Sequence, residues 1–167
     1  MGSLNDGKDF IVKWIKERFP KGATALDVGA CDGRWAGMLG DYLRMDAVEI
    51  FAPNVEQYRL HEKYNAVFTG DIADFHYDWY DLIIFGDVVE HMEVDKAQRV
   101  LAYARTRCSD MIIAVPYLYP QGAAYGNPWE RHIQDDLTRE VFDSRYPGFK
   151  LICKPSENYA YYAKNKP

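Results

Sequence analysis

No apolar run in this chain approaches the roughly 20 residues that a bilayer span requires. Its N-terminus also lacks the apolar stretch and small-residue cleavage site of a secretory leader. A membrane partner is therefore not expected, and the cytoplasm is the expected compartment. Cysteine is scarce: Cys31, Cys108 and Cys153 are odd in number and far apart, which excludes the close spacing of a zinc knuckle or redox dithiol. Reduced thiols in a reducing compartment are the simplest account. An excess of basic charge is missing too, since 25 acidic against 20 basic residues leave a formal charge of −5. Phosphate contacts dominate nucleic-acid affinity, so nucleic acid is not an expected partner. The cluster Lys8, Lys13, Lys16, Arg18 and Lys21 reads as the solvated face of a first helix. Repeats, low-complexity stretches and linkers are absent as well, so residues 1–167 read as one domain.

Hydrophobic residues make up 48% of the chain, enough for a substantial core. Phe10, Ile11, Trp14, Ile15 and Phe19 recur at helical spacing, and Pro20-Lys21-Gly22 stops that helix, which falls within residues 1–19. Strands are expected at 23–29, 46–50, 66–68, 80–85 and 111–116, with helices at 34–43, 53–61 and 94–107 between them. Such alternation implies a mostly parallel sheet with helices on both faces. The rhythm then breaks. Residues 117–136, rich in Tyr, Gly, Pro and Asn, read as a long loop, and long loops in compact domains are usually functional or disordered. A helix over 137–145 follows. Two strands over 149–153 and 159–163 lie too close for a crossover helix and form an antiparallel hairpin.

Asp27-Val28-Gly29-Ala30-Cys31-Asp32-Gly33 joins the first strand to a helix. Glycine there lets the backbone approach a ligand closely, and the helix N-terminus favours electronegative groups. A dinucleotide loop starting at Gly29 needs glycine at 31 and usually at 34, where this chain has Cys31 and Arg34. Asp27 would also repel a pyrophosphate. S-adenosylmethionine carries no phosphate but a sulfonium and an ammonium, and an acid beside the loop suits it. Glu49 ends the second strand, where an acid accepts from ribose hydroxyls. Asp71 follows the third strand, in position for the adenine amino group, and Asp87 follows the fourth. Four acids at the C-terminal ends of consecutive strands are expected to converge on one crevice.

These segments, with Val48-Glu49-Ile50, Gly70-Asp71-Ile72 and the run from Tyr80 to Met92, resemble successive motifs of class I S-adenosylmethionine-dependent methyltransferases. The terminal hairpin resembles the sixth and seventh strands of that family. The resemblance covers roughly residues 20–165 and implies a Rossmann-like, doubly wound, mostly parallel seven-stranded sheet with a C-terminal antiparallel hairpin. It also implies S-adenosylmethionine as cofactor. The cofactor contacts it implies fall on Asp27, Gly29, Ala30, Cys31, Gly33, Glu49, Ile50, Asp71, Ile72, Asp87 and Val88. Cys31 departs from the family pattern, which has its middle glycine there. The plainer reading of Asp71 is a helix cap.

Methyl transfer is an in-line displacement, so the protein mainly positions the nucleophile, and a hydroxyl acceptor benefits from a base or a metal. Asp87-Val88-Val89-Glu90-His91 resembles the glutamate-histidine motif of the ubiquinone-biosynthesis branch of O-methyltransferases. Glu130-Arg131-His132 lies in the acceptor-side loop 117–136. Glu90 with His91 or His132 forms the candidate catalytic set, since histidine titrates near neutrality. A bolder reading takes Asp87, Glu90, His91 and His132 as a divalent-metal (magnesium) site, a spacing that resembles metal-dependent small-RNA 2′-O-methyltransferases. The plainer one makes Glu90-His91 the turn after strand four. Tyr117, Tyr119, Tyr125 and Trp129 either wall an acceptor pocket or cover the sheet end. The expected activity is methylation of a small-molecule acceptor, most readily at oxygen. The alternatives are metal-assisted RNA 2′-O-methylation and a non-catalytic, partner-activating subunit that binds S-adenosylmethionine.

Overall fold

Three strands read as near-continuous apolar runs: β1 (Thr24–Val28), β4 (Tyr80–Gly86) and β5 (Cys108–Pro116). That pattern belongs to parallel strands covered on both faces. In the computed structural model, which describes residues 6–165, they form the middle of a seven-stranded sheet. The other strands are β2 (Arg44–Glu49), β3 (Val67–Thr69), β6 (Phe149–Ser156) and β7 (Tyr159–Lys164), and the order is β3-β2-β1-β4-β5-β7-β6. β1 to β5 run parallel. β7 runs antiparallel to both of its neighbours and sits between β5 and β6. The expected doubly wound, Rossmann-like sheet with a terminal hairpin is the observed fold.

Side chains alternate across each strand, and this divides the core in two. Leu26 and Val28 of β1 join the apolar layer under α4 (Val94–Arg105) and α5 (Arg139–Arg145), with Ala97, Leu101 and Phe142. Ala25 faces the opposite layer, built by α1 (Lys8–Lys16), α2 (Arg34–Leu39) and α3 (Ala52–Gln57) with Ile11, Ile15, Trp35 and Leu39. Among the described residues no helix is long and apolar enough to cross a membrane.

Boundaries shift where local chemistry decides them. α3 stops before the expected His61 because Arg59 turns left-handed (φ 52°), and a one-turn 3-10 helix, Leu60–Glu62, takes over. α5 starts late because the Thr138 hydroxyl accepts from Val141 N at 3.2 Å and caps it. β6 absorbs Pro155 through register shifts and continues to Ser156, leaving a tighter hairpin turn than expected. Of the expected 1–19 helix, Lys8–Lys16 is observed, and residues 1–5 lie outside the described residues.

Candidate functional site

The strand order reverses between β1 and β4, and a crevice opens at the C-terminal ends of the strands flanking that point. β1 ends at Val28, and the chain then turns through Gly29 (φ 72°), Cys31 (φ 48°) and Gly33 (φ 74°). A Cβ on Gly29 would stand 2.6 Å from Val88 Cγ2, so the loop and the β4 end approach closely only because that position is glycine. Cys31 takes the left-handed conformation that glycine adopts freely, at a cost of about 1–2 kcal/mol for a side chain. Its amide offsets this by donating to Glu49 Oε2 at 2.7 Å. The cysteine therefore keeps the loop's turn. Burial and nearby carboxylates push its thiol up to about 12, so it is neutral.

Glu49 is 3% exposed and ties two loops together. Besides Cys31 N, it accepts from Phe51 N at 2.8 Å and Asn54 Nδ2 at 3.5 Å, both through Oε1. Burial raises its pKa, against the pull of these donors. Gly29, Ala30, Cys31, Glu49 and Ile50 line one side of the crevice, and Asp71, Ile72, Asp87 and Val88 continue it. Asp71 is also the helix cap of the plainer reading. Its Oδ1 accepts from Ala73 N at 2.9 Å, and its Oδ2 meets Lys96 Nζ, which reaches in from α4.

Two expected cofactor contacts stand elsewhere. Asp27 does not line the crevice. Alternation along β1 sends it to the face of Ala25, where it is 1% exposed and accepts from Tyr64 Oη at 2.5 Å. Burial raises its carboxyl from the ordinary 3.8 to about 7. The expected convergence of four acids is thus one of three: Glu49, Asp71 and Asp87. Gly33 also stands behind the crevice wall, against Lys63 and Leu60, and serves the turn.

The β4 end carries the titratable groups. Asp87 has a left-handed φ of 57°, and its Oδ1 accepts from Tyr159 Oη on β7 at 2.6 Å. Glu90 is fully buried in the crevice wall, and among the described residues neither of its carboxyl oxygens has a hydrogen-bond donor. Burial first, and the neighbouring Asp87 charge second, raise its pKa well above the carboxylate range. His91 Nε2 is 4.0 Å from Glu90 Oε1. His132 arrives from 41 residues downstream because backbone bonds pin its loop to this turn. Ile133 N and Gln134 N donate to Glu90 O at 2.8 and 2.9 Å, and Gln134 Nε2 donates to Val89 O and Met92 O. The two imidazoles meet edge to face with centroids 4.7 Å apart.

Their tautomers follow from their partners. His91 Nδ1 lies 3.0 Å from Arg131 O, and His132 Nδ1 lies 2.6 Å from Tyr119 O. A carbonyl accepts only, so each Nδ1 bears the proton and each Nε2 keeps its lone pair. Burial lowers both pKa values, which keeps the rings neutral at neutral pH. Ligand atoms of Glu90, His91 and His132 all lie within 4.8 Å of one another. Asp87 is outside that group, which leaves three of the four expected metal ligands together.

Of the loop aromatics, Tyr119 and Trp129 line the crevice. Tyr117 is buried against Tyr162 Oη, and Tyr125 projects outward at 76% exposure. Glu130, of the segment Glu130-Arg131-His132, lines the crevice too, as do Trp35, Lys96, Gln121, Asn127 and Tyr159, which no sequence motif announced.

No family model matches the chain, and no curated protein matches it. Solved structures do. A S-adenosylmethionine-dependent methyltransferase from Clostridium acetobutylicum superposes with a TM-score of 0.73 at 11% identity, covering 95% of this chain and 90% of that one. Magnesium protoporphyrin IX methyltransferase from Synechocystis, with bound S-adenosylhomocysteine, gives 0.63 at 16% identity over 95% and 81%. Mitomycin 7-O-methyltransferase gives 0.62 at 17% identity over 87% of this chain, which spans about half of its length (49%). The fold is that of class I methyltransferases.

Proposed function

We propose that this chain transfers the methyl group of S-adenosylmethionine to a hydroxyl of a small-molecule acceptor. The observation that carries the reading is Glu49, a buried acid at the C-terminal end of β2 that holds the glycine loop and the β2 loop together at the crevice. A carboxylate has about four lone-pair sites. Three are engaged here, one of them through the long Asn54 contact, so ribose hydroxyls would use the vacant site and displace that contact. Asp71 and the Ile72 backbone would read the adenine, and the Gly29–Cys31 turn would receive the amino-acid end. S-adenosylhomocysteine bound in a neighbour of this fold supports the same cofactor here.

The sulfonium already activates the methyl carbon, so the protein's work is to align the acceptor oxygen and accept its proton. We assign the proton to His91 Nε2, which the Nδ1–H bond to Arg131 O leaves unprotonated and which stands 4.0 Å from Glu90 Oε1. His132 packs on the ring edge and fixes it. Tyr119 and Trp129 would wall the acceptor. The Glu90-His91 pair is what supports kinship with the ubiquinone-type O-methyltransferases.

A divalent metal would fit the same end. Glu90 is a buried carboxyl group with no hydrogen-bond donor among the described residues, and both imidazoles present Nε2 lone pairs with Nδ1–H on backbone carbonyls, as metal-bound histidines do. Two imidazoles and one carboxylate suit manganese, iron or zinc better than the expected magnesium. When bound, such an ion would act as a Lewis acid on the acceptor hydroxyl.

The test is calorimetric titration with S-adenosylhomocysteine of the wild type and Glu49→Ala, with and without manganese. Binding by the wild type and its loss in the variant are expected, followed by radiolabelled methyl transfer in a hydroxyl-acceptor screen. A wild type that binds no S-adenosylhomocysteine under any condition overturns the reading.

A further inference from the structure

The loop after β5 does more than wall an acceptor. It crosses the crevice as a strap, and its Asn127, Trp129 and Glu130 line the same cavity as Gly29, Cys31 and Glu49. A built turn holds this part of the strap. Asn127, 5% exposed, caps the one-turn helix Pro128–Glu130 by accepting from Trp129 N at 2.9 Å, and its own N–H donates to Ala124 O at 2.8 Å. Gln121 Nε2 anchors Glu130 O at 2.6 Å. The Glu130 carboxylate is met more loosely: Asn127 Nδ2 stands 3.4 Å from Oε1 and Gln121 Nε2 3.5 Å from Oε2. Both oxygens are thus oriented while keeping lone pairs free. Glu130 shares the cavity with the glycine loop, and its charge helps burial to raise the Cys31 thiol.

We propose that Glu130 is a cofactor-binding residue, accepting from the α-ammonium of the methionine moiety, and that it couples cofactor occupancy to the geometry of His132 two residues on. The inference rests on the S-adenosylmethionine reading. An ammonium at the glycine loop calls for negative charge; Asp27 does not line the cavity, and of the carboxylates that do, Asp32 is met by Arg34, Glu49 by two backbone amides, Asp71 by Lys96 and Asp87 by Tyr159, whereas Glu130 is held only loosely. Glu130-Arg131-His132 forms one short segment, with Glu130 in the cavity of the glycine loop and His132 against His91. Ordering Glu130 on the ammonium orders His132 beside the reacting oxygen. Cofactor binding would then precede productive acceptor binding.

Two ligands separate the ammonium contact from everything else: S-adenosylhomocysteine, which has the amino-acid moiety, and 5′-methylthioadenosine, which lacks it. Glu130→Gln should weaken S-adenosylhomocysteine about tenfold, the scale of a charged hydrogen bond, and leave 5′-methylthioadenosine unchanged. Glu157→Gln, an equal loss of charge on the exposed hairpin turn, should change neither. In hydrogen exchange, S-adenosylhomocysteine should protect residues 121–134 of the wild type and protect them less in Glu130→Gln. Equal affinities of wild type and variant for S-adenosylhomocysteine overturn the proposal, and so does an equal loss for both ligands, which would mark a contact to the nucleoside or a loosened strap. Failure of the wild type to bind S-adenosylhomocysteine overturns the cofactor reading itself.

Discussion

Asp27→Asn should change how the stability of this protein depends on pH. Burial holds the Asp27 carboxyl near 7 in the folded chain, against an ordinary 3.8. A raised carboxyl pKa means that the folded state favours the proton, so stability falls as pH rises from about 4 towards 7 and is then level. Each unit of difference is worth about 1.4 kcal/mol. The ionisable carboxyl therefore costs about 1.6 kcal/mol at pH 5 and about 4 kcal/mol at pH 7.5. Asparagine has the same shape, can accept from the Tyr64 hydroxyl and cannot ionise. Its stability relative to wild type should rise by about 2.5 kcal/mol between those two pH values. Urea unfolding followed by fluorescence measures this. With a slope of about 2 kcal/mol/M, the midpoint difference should change by about 1 M. A stability difference independent of pH would mean that Asp27 is ionised throughout, and the account of its buried position would fail.

Gly29→Ala should lower the thermal midpoint by about 4 °C, from a left-handed φ that alanine resists and a Cβ placed 2.6 Å from Val88. It should also weaken S-adenosylhomocysteine, because Val88 lines the crevice; unaltered affinity would separate this turn from the ligand. Thr138→Ala removes the α5 cap and should cost about 1 kcal/mol in chemical unfolding. Because Thr138 is not part of the crevice lining, ligand affinity should stay at the wild-type value, and a change would show that α5 and the crevice are linked.

Much of this fold could be read before any coordinates, because burial on both faces writes itself into composition. β4 and β5 each carry an unbroken apolar run, Leu82–Phe85 and Met111–Val115, and Gly29 and Gly33 mark left-handed turns. The site was less legible, for a reason visible in Asp27. An acid at the end of a strand that is buried on both faces looks the same in sequence whether it faces a crevice or a helix layer. Counting alternate residues from Ala25 was the available signal. The partners that give each acid its character carry no local pattern at all. Tyr64 reaches Asp27 from 37 residues away, Lys96 reaches Asp71 from 25, and Tyr159 reaches Asp87 from 72. The strap was visible as a long irregular stretch, but irregular backbone has no period from which to infer which side chain points inward. The segment Glu130-Arg131-His132 could be marked in sequence, but Asn127 became identifiable only through its hydrogen bonds.

The position of β7 has a consequence for how the crevice comes into being. Synthesis makes β7 after β5 and β6, yet it lies between them, and among the described residues β6 pairs with β7 alone. The first five strands can assemble in the order they emerge, whereas β6 must wait for its successor to thread into the gap. Tyr159, the residue that steadies Asp87, belongs to that late strand. On the proposed reading of the site, the last strand to be synthesised therefore also completes the hydrogen-bonded surroundings of Asp87 at the crevice.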